Sequence, residues 1–191
     1  MSILEGTGTG KGGMGPSADD DDAHRVTYEL TCSDFPDDLE VRTFDAIEEL
    51  NRPYVVAVQV ELRSEVTELG ELLGRDAVIR LHRRDHERSF AGIVGRTRVD
   101  ATGHWGPIGT IEIVPALWAL RFTEQSRIFQ EKTALEIVEL ILNESLGKYG
   151  RGIDTASLER DRYLTRDYCV QYRESSLDFV HRLLEEEGIG Y

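Results

Sequence analysis

From Arg25 to Pro115 the apolar residues recur mostly at every second position, and after Phe122 they recur every third or fourth. Side chains alternate faces along a strand and return every 3.6 residues on a helix, so this change predicts a β-rich part followed by a helical one. Val26, Tyr28 and Leu30 share one face of a first strand, and Leu39, Val41 and Phe44 mark a second. Asn51-Arg52-Pro53 supplies a turn before the strongest alternation in the chain, residues 54–62. There Tyr54, Val56, Val58, Val60 and Leu62 oppose Val55, Ala57, Gln59 and Glu61. Apolar residues on both faces at its start predict a central strand. A short helical stretch is predicted at 65–73, closed by Gly74. Residues 77–82 and 89–98 read as a hairpin about the charged turn 83–88, and 106–115 as another strand.

In the helical part, Thr133 and Glu136 have capping-box spacing, and Leu135, Val138 and Leu142 with Ile137 and Ile141 form the apolar stripe. Gly147 stands where a C-cap glycine belongs. A charged loop runs to about Thr165, followed by a strand at 168–172 and a second helix. That helix is capped by Ser175 and Asp178, carries Leu177, Val180 and Leu184, and stops at Gly188. Residues 189–191 read as the start of a strand that has no partner, the sign of a segment incomplete at its C-terminus. The expected organisation is a disordered Gly/Asp-rich tail at 1–24, a mainly β domain at 25–125 and a helix, strand, helix segment at 126–191. The expected class is α+β.

Thirty-six Asp and Glu against 22 Lys and Arg give a formal net charge of -14, which disfavours nucleic acid and anionic membranes, since both want a basic face. No apolar run approaches the roughly 20 residues of a membrane span. Cys32 and Cys169 are too few for a disulfide scaffold and too far apart for a CxxC pair. The opening MSILEGTGTGKGGMG has no charged n-region followed by an apolar h-region, so cytoplasmic synthesis is expected, and any export would proceed without a signal peptide.

Each candidate for chemistry fails at a required point. The stretch from Gly6 to Gly12 has Glu5 and Gly12 where a phosphate-binding loop needs Gly and Ser or Thr. His82 and His86 have the i,i+4 spacing of helical zinc ligands but sit in a strand-and-turn pattern with no third ligand evident. Asp19 to Asp22 lack the alternating ligand spacing of a calcium loop. Arg80, Arg83, Arg84 and Arg88 are interleaved with Asp85 and Glu87 and read as a compensated hairpin tip. Cys169 with His181 would be the nucleophilic pair of a small hydrolase, against the plainer reading of Cys169 as a small apolar residue between Tyr168 and Val170. No catalytic residue, metal site or cofactor is expected.

Two long phrases go further than spacing. Ser126-Arg127-Ile128-Phe129-Gln130-Glu131-Lys132-Thr133 with Ile137-Val138 forms the first. The second is Tyr168-Cys169-Val170-Gln171-Tyr172-Arg173-Glu174-Ser175, with Asp178-Phe179-Val180 and Arg182-Leu183-Leu184-Glu185-Glu186-Glu187-Gly188-Ile189. In that order they closely resemble the VgrG spike proteins of bacterial type VI secretion. Leu50-Asn51-Arg52-Pro53-Tyr54, Leu72-Leu73-Gly74 and Phe90-Ala91-Gly92-Ile93-Val94 are similar to the family's first domain, so the resemblance covers about residues 26–191. It implies a noncatalytic, trimeric hub of phage tail baseplate type, whose β-barrels cap the Hcp tube and whose complete members carry a needle and effectors into a target cell. The needle is not in this sequence, and Gly190 departs from the family's more usual aromatic or polar residue. A phage or prophage baseplate hub or late control protein would share the fold, and the neighbouring genes would separate the two.

Overall fold

The strand expected at 54–62 forms as β4 (Val55–Leu62), with Val56, Val58, Val60 and Leu62 fully buried on its core face. The computed structural model describes residues 6–7, 27–33, 39–62, 68–83, 86–104 and 106–191. The chain divides into two units, Met1–Glu48 with Tyr54–Pro115, and Glu49–Pro53 with Ala116–Tyr191. The expected mainly β domain followed by a helix-containing segment is the architecture found.

The first unit is an antiparallel sheet. Its strands are β1 (Gly6–Thr7), β2 (Thr27–Cys32), β3 (Leu39–Ile47), β4, β5 (Asp76–Arg83), β6 (His86–Thr102) and β7 (Pro107–Val114), in the order β1-β3-β4-β7-β6-β5-β2. β4 is interior, between β3 and β7, as its two apolar faces require. In β3, Val41 pairs with Val60 but Thr43 pairs with Gln59, so Arg42 is an extra residue in a bulge. The bulge shifts the alternation by one and puts Val41 and Phe44, three apart, on the same core face. The sheet curls, because Tyr28 on β2 donates to the carbonyls of Val41 at 3.4 Å and Arg42 at 3.3 Å and meets Phe44 edge-on. On the opposite face Glu61 is completely buried and is ion-paired with Arg42 of the bulge. Partnering of this kind is what makes a buried carboxylate tolerable.

Several boundaries differ from the sequence reading. The hairpin is tighter than a turn at 83–88, since Arg83 pairs directly with His86, with Arg84 and Asp85 outside the described residues. The stretch at 65–73 is a 3₁₀ turn at Leu69–Leu72, with 63–67 outside the described residues, and Gly74 closes it at φ +77°. Within the expected tail, Gly6–Thr7 pair with Phe44 and Thr43 of β3; the rest of 1–24 lies outside the described residues.

In the second unit a 3₁₀ segment, Ala116–Phe122, leads into β8 (Glu124–Thr133), α1 (Ala134–Leu146), β9 (Thr165–Ser175) and α2 (Ser176–Glu186). β8 and β9 form a two-stranded antiparallel ribbon. The 3.6 period therefore does not begin at Phe122. The intervening strand carries no alternation to read, because Phe129 is the sole buried side chain along it. The core joins Phe129, Ile137, Val138, Ile141, Phe179, Val180 and Leu183, with the Phe129 and Phe179 rings stacked at 5.8 Å.

The caps follow local chemistry. The capping box at α1 is complete: Glu136 N–H donates to Thr133 Oγ1 at 3.1 Å, and Thr133 N–H donates to Glu136 Oε2 at 2.7 Å. Thr133→Ala is expected to cost about 1 kcal/mol, seen as a melting temperature lowered by several degrees, since Glu136 N–H loses its side-chain acceptor. Gly147 does not end the helix in a left-handed turn; it is still right-handed, and the chain tightens into a 3₁₀ turn that closes at Gly150, φ 62°. At α2, Gly188 is the stop expected, with Gly188 N–H on Glu185 O at 3.1 Å and Ile189 N–H on Leu184 O at 2.9 Å. The strand expected at 189–191 is absent: Ile189 packs on the core instead, and Tyr191 N–H donates to Asn51 Oδ1 at 3.1 Å.

Candidate functional site

Among the described residues, the candidates for catalysis and metal binding are not brought together. His82 and His86 stand on the two strands of the β5–β6 hairpin, where His82 pairs in register with Glu87 and His86 with Arg83. Among the described residues no three His, Cys, Asp or Glu side chains are placed to share a metal ion. Cys169 is buried on β9 against Phe129, its register partner. His181, on α2, turns its Nε2 to the Tyr191 hydroxyl at 2.5 Å, with the rings stacked at 5.7 Å, rather than to a thiol. His24, Asp19 to Asp22 and Gly8 to Gly12 lie outside the described residues.

Both long phrases instead build one object, the β8–β9 ribbon and the helix that backs it. Cross-strand partners share a face, and the pairs Phe129 with Cys169 and Ile128 with Val170 fix which face is which. The inner face carries Phe129, Cys169 and Gln171 onto the core. Gln171 is fully buried, and its amide donates to Glu174 O at 3.2 Å and Ser176 Oγ at 3.4 Å, joining the end of β9 to the start of α2.

A chain of charges fastens the same elements. Arg166 on β9 reaches Glu186 at 2.7 Å and Glu187 at 2.6 Å; Arg182 on α2 reaches Glu186 at 3.2 Å, Glu174 at 2.7 Å and the carbonyl of Val170 at 3.2 Å. The Arg182 guanidinium also lies over the Phe179 ring, 5.0 Å from its centroid. Within the run Arg182-Leu183-Leu184-Glu185-Glu186-Glu187 the leucines face inward, while Arg182, Glu186 and Glu187 latch the end of the helix to β9.

Proton uptake should loosen this unit. Arg166 and Arg182 hold the Glu186 carboxyl below its ordinary value of 4.5, and Arg160 with Thr155 does the same for Glu139. Burial pushes His181 below its ordinary 6.5, with Arg52 adding to the effect and Asp178 and Glu185 opposing it. A depressed folded value gives stability that is present above the unfolded value and lost as pH falls through the folded one. Melting temperature is therefore expected to fall first below about pH 6.5 and more steeply below about pH 4.5, where the carboxylates titrate. A melting temperature that rises on acidification from pH 7 to 4 would contradict this assignment.

The outer face of the ribbon is different in character. Ile128, Tyr168 and Tyr172 are 63%, 59% and 64% exposed, with Val170 half-buried among them and Gln130 as the register partner of Tyr168. Arg173, at φ 49°, places its guanidinium over the Tyr172 ring. No carboxylate belongs to these positions, in a chain with 36 Asp and Glu. The alternation at 168–172 predicts the strand but not this whole face, because Ile128 and Gln130 come to it from β8.

Comparison with known proteins gives a consistent result. The phage tail baseplate hub family matches residues 47–191. The chain is 33% identical over 177 residues to the actin cross-linking toxin VgrG1 of Vibrio cholerae, covering 87% of this chain and 16% of that protein. It is 35% identical over 156 residues to the type VI secretion system spike protein VgrG1b of Pseudomonas aeruginosa, covering 80% and 20%. The chain thus spans about a fifth or less of the length of these relatives. Among solved structures, an E. coli component of the type VI secretion system, described as similar to the T4 bacteriophage tail proteins gp27 and gp5, aligns with a TM-score of 0.66. At 22% identity, over 83% of this chain and 43% of that one, the likeness is one of fold.

Proposed function

Since this chain belongs to the phage tail baseplate hub family, we propose that it is a structural hub component of a type VI secretion spike. The observation that carries the reading is the family match over residues 47–191, joined to spike-protein relatives that cover 80% or more of the chain. Both signature phrases fold into one ribbon and its backing helix, so their agreement with the family is explained by architecture and needs no active site. In this reading the chain is not an enzyme. It assembles with further copies as a trimer, caps a tube of Hcp-like protein, accommodates effectors and leaves the cell with the apparatus.

A chimera tests this directly. The region of the Pseudomonas aeruginosa VgrG1b protein that aligns with this chain is replaced by it, and secretion of the chimera is measured in cells lacking the native protein. Secretion that requires the tube protein is the expected result. A folded, soluble chimera that is never secreted, and that fails to retain the tube protein in pull-down, would refute the hub assignment. The hydrolase reading makes the separate demand that Cys169→Ala or His181→Ala abolish a measurable turnover.

A further inference from the structure

Ile128, Tyr168, Val170 and Tyr172 form a continuous apolar strip on the outer face of the β8–β9 ribbon, and the backing helices cover the other side only. We propose that this strip is a surface on which a second copy of this chain docks. The inference rests on the hub reading, which requires contacts between subunits, and names where on this chain one such contact lies.

Charge selects the occupant. Each copy carries a net charge of -14, so two copies repel over most of their surfaces and can approach closely only where carboxylates are missing. The strip is such a window, being made of apolar, aromatic and amide side chains with the Arg173 cation at its rim over Tyr172. A cationic rim facing an acidic neighbour adds attraction where like-charged surfaces would otherwise repel. Aromatic residues enriched and charged residues depleted at the centre is also the composition of interface cores. Two tyrosines, an isoleucine and a valine at these exposures offer on the order of 400 Å². That is roughly half of what one partner contributes to a standard interface, so the contact alone is weak and concentration-dependent, and a complete hub needs others beside it.

The test is sedimentation velocity on the whole chain from about 5 to 200 µM, a range that brackets weak self-association. The variants are Ile128→Glu with Tyr168→Glu, Arg173→Glu, and Val99→Glu as a control at another exposed apolar position, on β6. Because every substituted side chain is largely exposed, melting temperatures are expected to stay within a few degrees of the parent. The parent and Val99→Glu should show association growing with concentration. The ribbon double variant should weaken it at least tenfold and Arg173→Glu should weaken it measurably. A photo-crosslinking residue at position 172, in the otherwise unchanged chain, should yield a covalent product of two copies. A parent that stays monomeric throughout, or a ribbon variant that associates like the parent, overturns the proposal. Either result leaves the hub assignment to the secretion chimera, whose failure would in turn leave a measured ribbon contact standing.

Discussion

Phe179→Ala is expected to unfold the second unit near room temperature or to lower its melting temperature by at least about 10 °C. The ring is fully buried, stacks on Phe129 at 5.8 Å and lies under the Arg182 guanidinium. Removing a core phenylalanine costs about 3 to 5 kcal/mol, and each kcal/mol moves the transition of a small domain by about 4 to 8 °C. The cavity would open where β8, β9 and α2 meet, so the helix would also lose the packing that holds its charges in register with β9. Leu184→Ala should cost less, because Leu184 is 9% exposed whereas Phe179 and Leu183 are at 0%. Calorimetry on the two variants checks the ranking, and equal melting temperatures would mean that the helix is not seated on Phe179.

Gly92→Ala is expected to be comparably damaging to the first unit, through a single methyl group. Gly92 lies on β6 beside the point where that strand passes from pairing with β5 to pairing with β7; its neighbour Ile93 is opposite Asp76 on one side and Val114 on the other. A Cβ at Gly92 would stand 2.1 Å from the Val114 carbonyl oxygen and 2.7 Å from its carbon. Those are backbone atoms and cannot rotate aside, so β6 and β7 must separate or the variant does not fold. Overpacking of this kind costs about 1 to 3 kcal/mol where side chains can give way, and backbone contacts put this position at or above the upper end. Chemical denaturation of Gly92→Ala beside Gly70→Ala, where an added Cβ meets nothing within 4 Å, isolates the steric effect. Parent-like stability of Gly92→Ala would show that the two strands are less closely paired than described.

The sequence reads well where residues a few positions apart on the chain settle the outcome between them. Thr133 with Glu136, and Ser175 with Asp178, announced both helix starts, because a cap is completed by residues three apart on the chain. Gly188 announced the second helix stop for the same reason. Gly147 misled, since glycine permits the left-handed conformation without demanding it and Gly150 was available three residues later. Phe90-Ala91-Gly92-Ile93-Val94 is similar to a family phrase, yet nothing in it shows that the glycine is required by a carbonyl on another strand.

By itself, then, the sequence determined the alternation of β4, the two caps, the apolar stripes of both helices and the family phrases, all of which are encoded within a few consecutive residues. Only the tertiary structure decided that β8 is a strand, because the ten residues of Glu124–Thr133 bury a single large side chain and take their conformation from pairing with β9. It also decided that Arg42 is a bulge residue serving buried Glu61, and that Ile128 and Tyr172 share an outer face while Phe129 and Gln171 turn inward. Such facts depend on register between segments tens of residues apart. A shift of one position would exchange the two faces of the ribbon while leaving the composition of each strand unchanged.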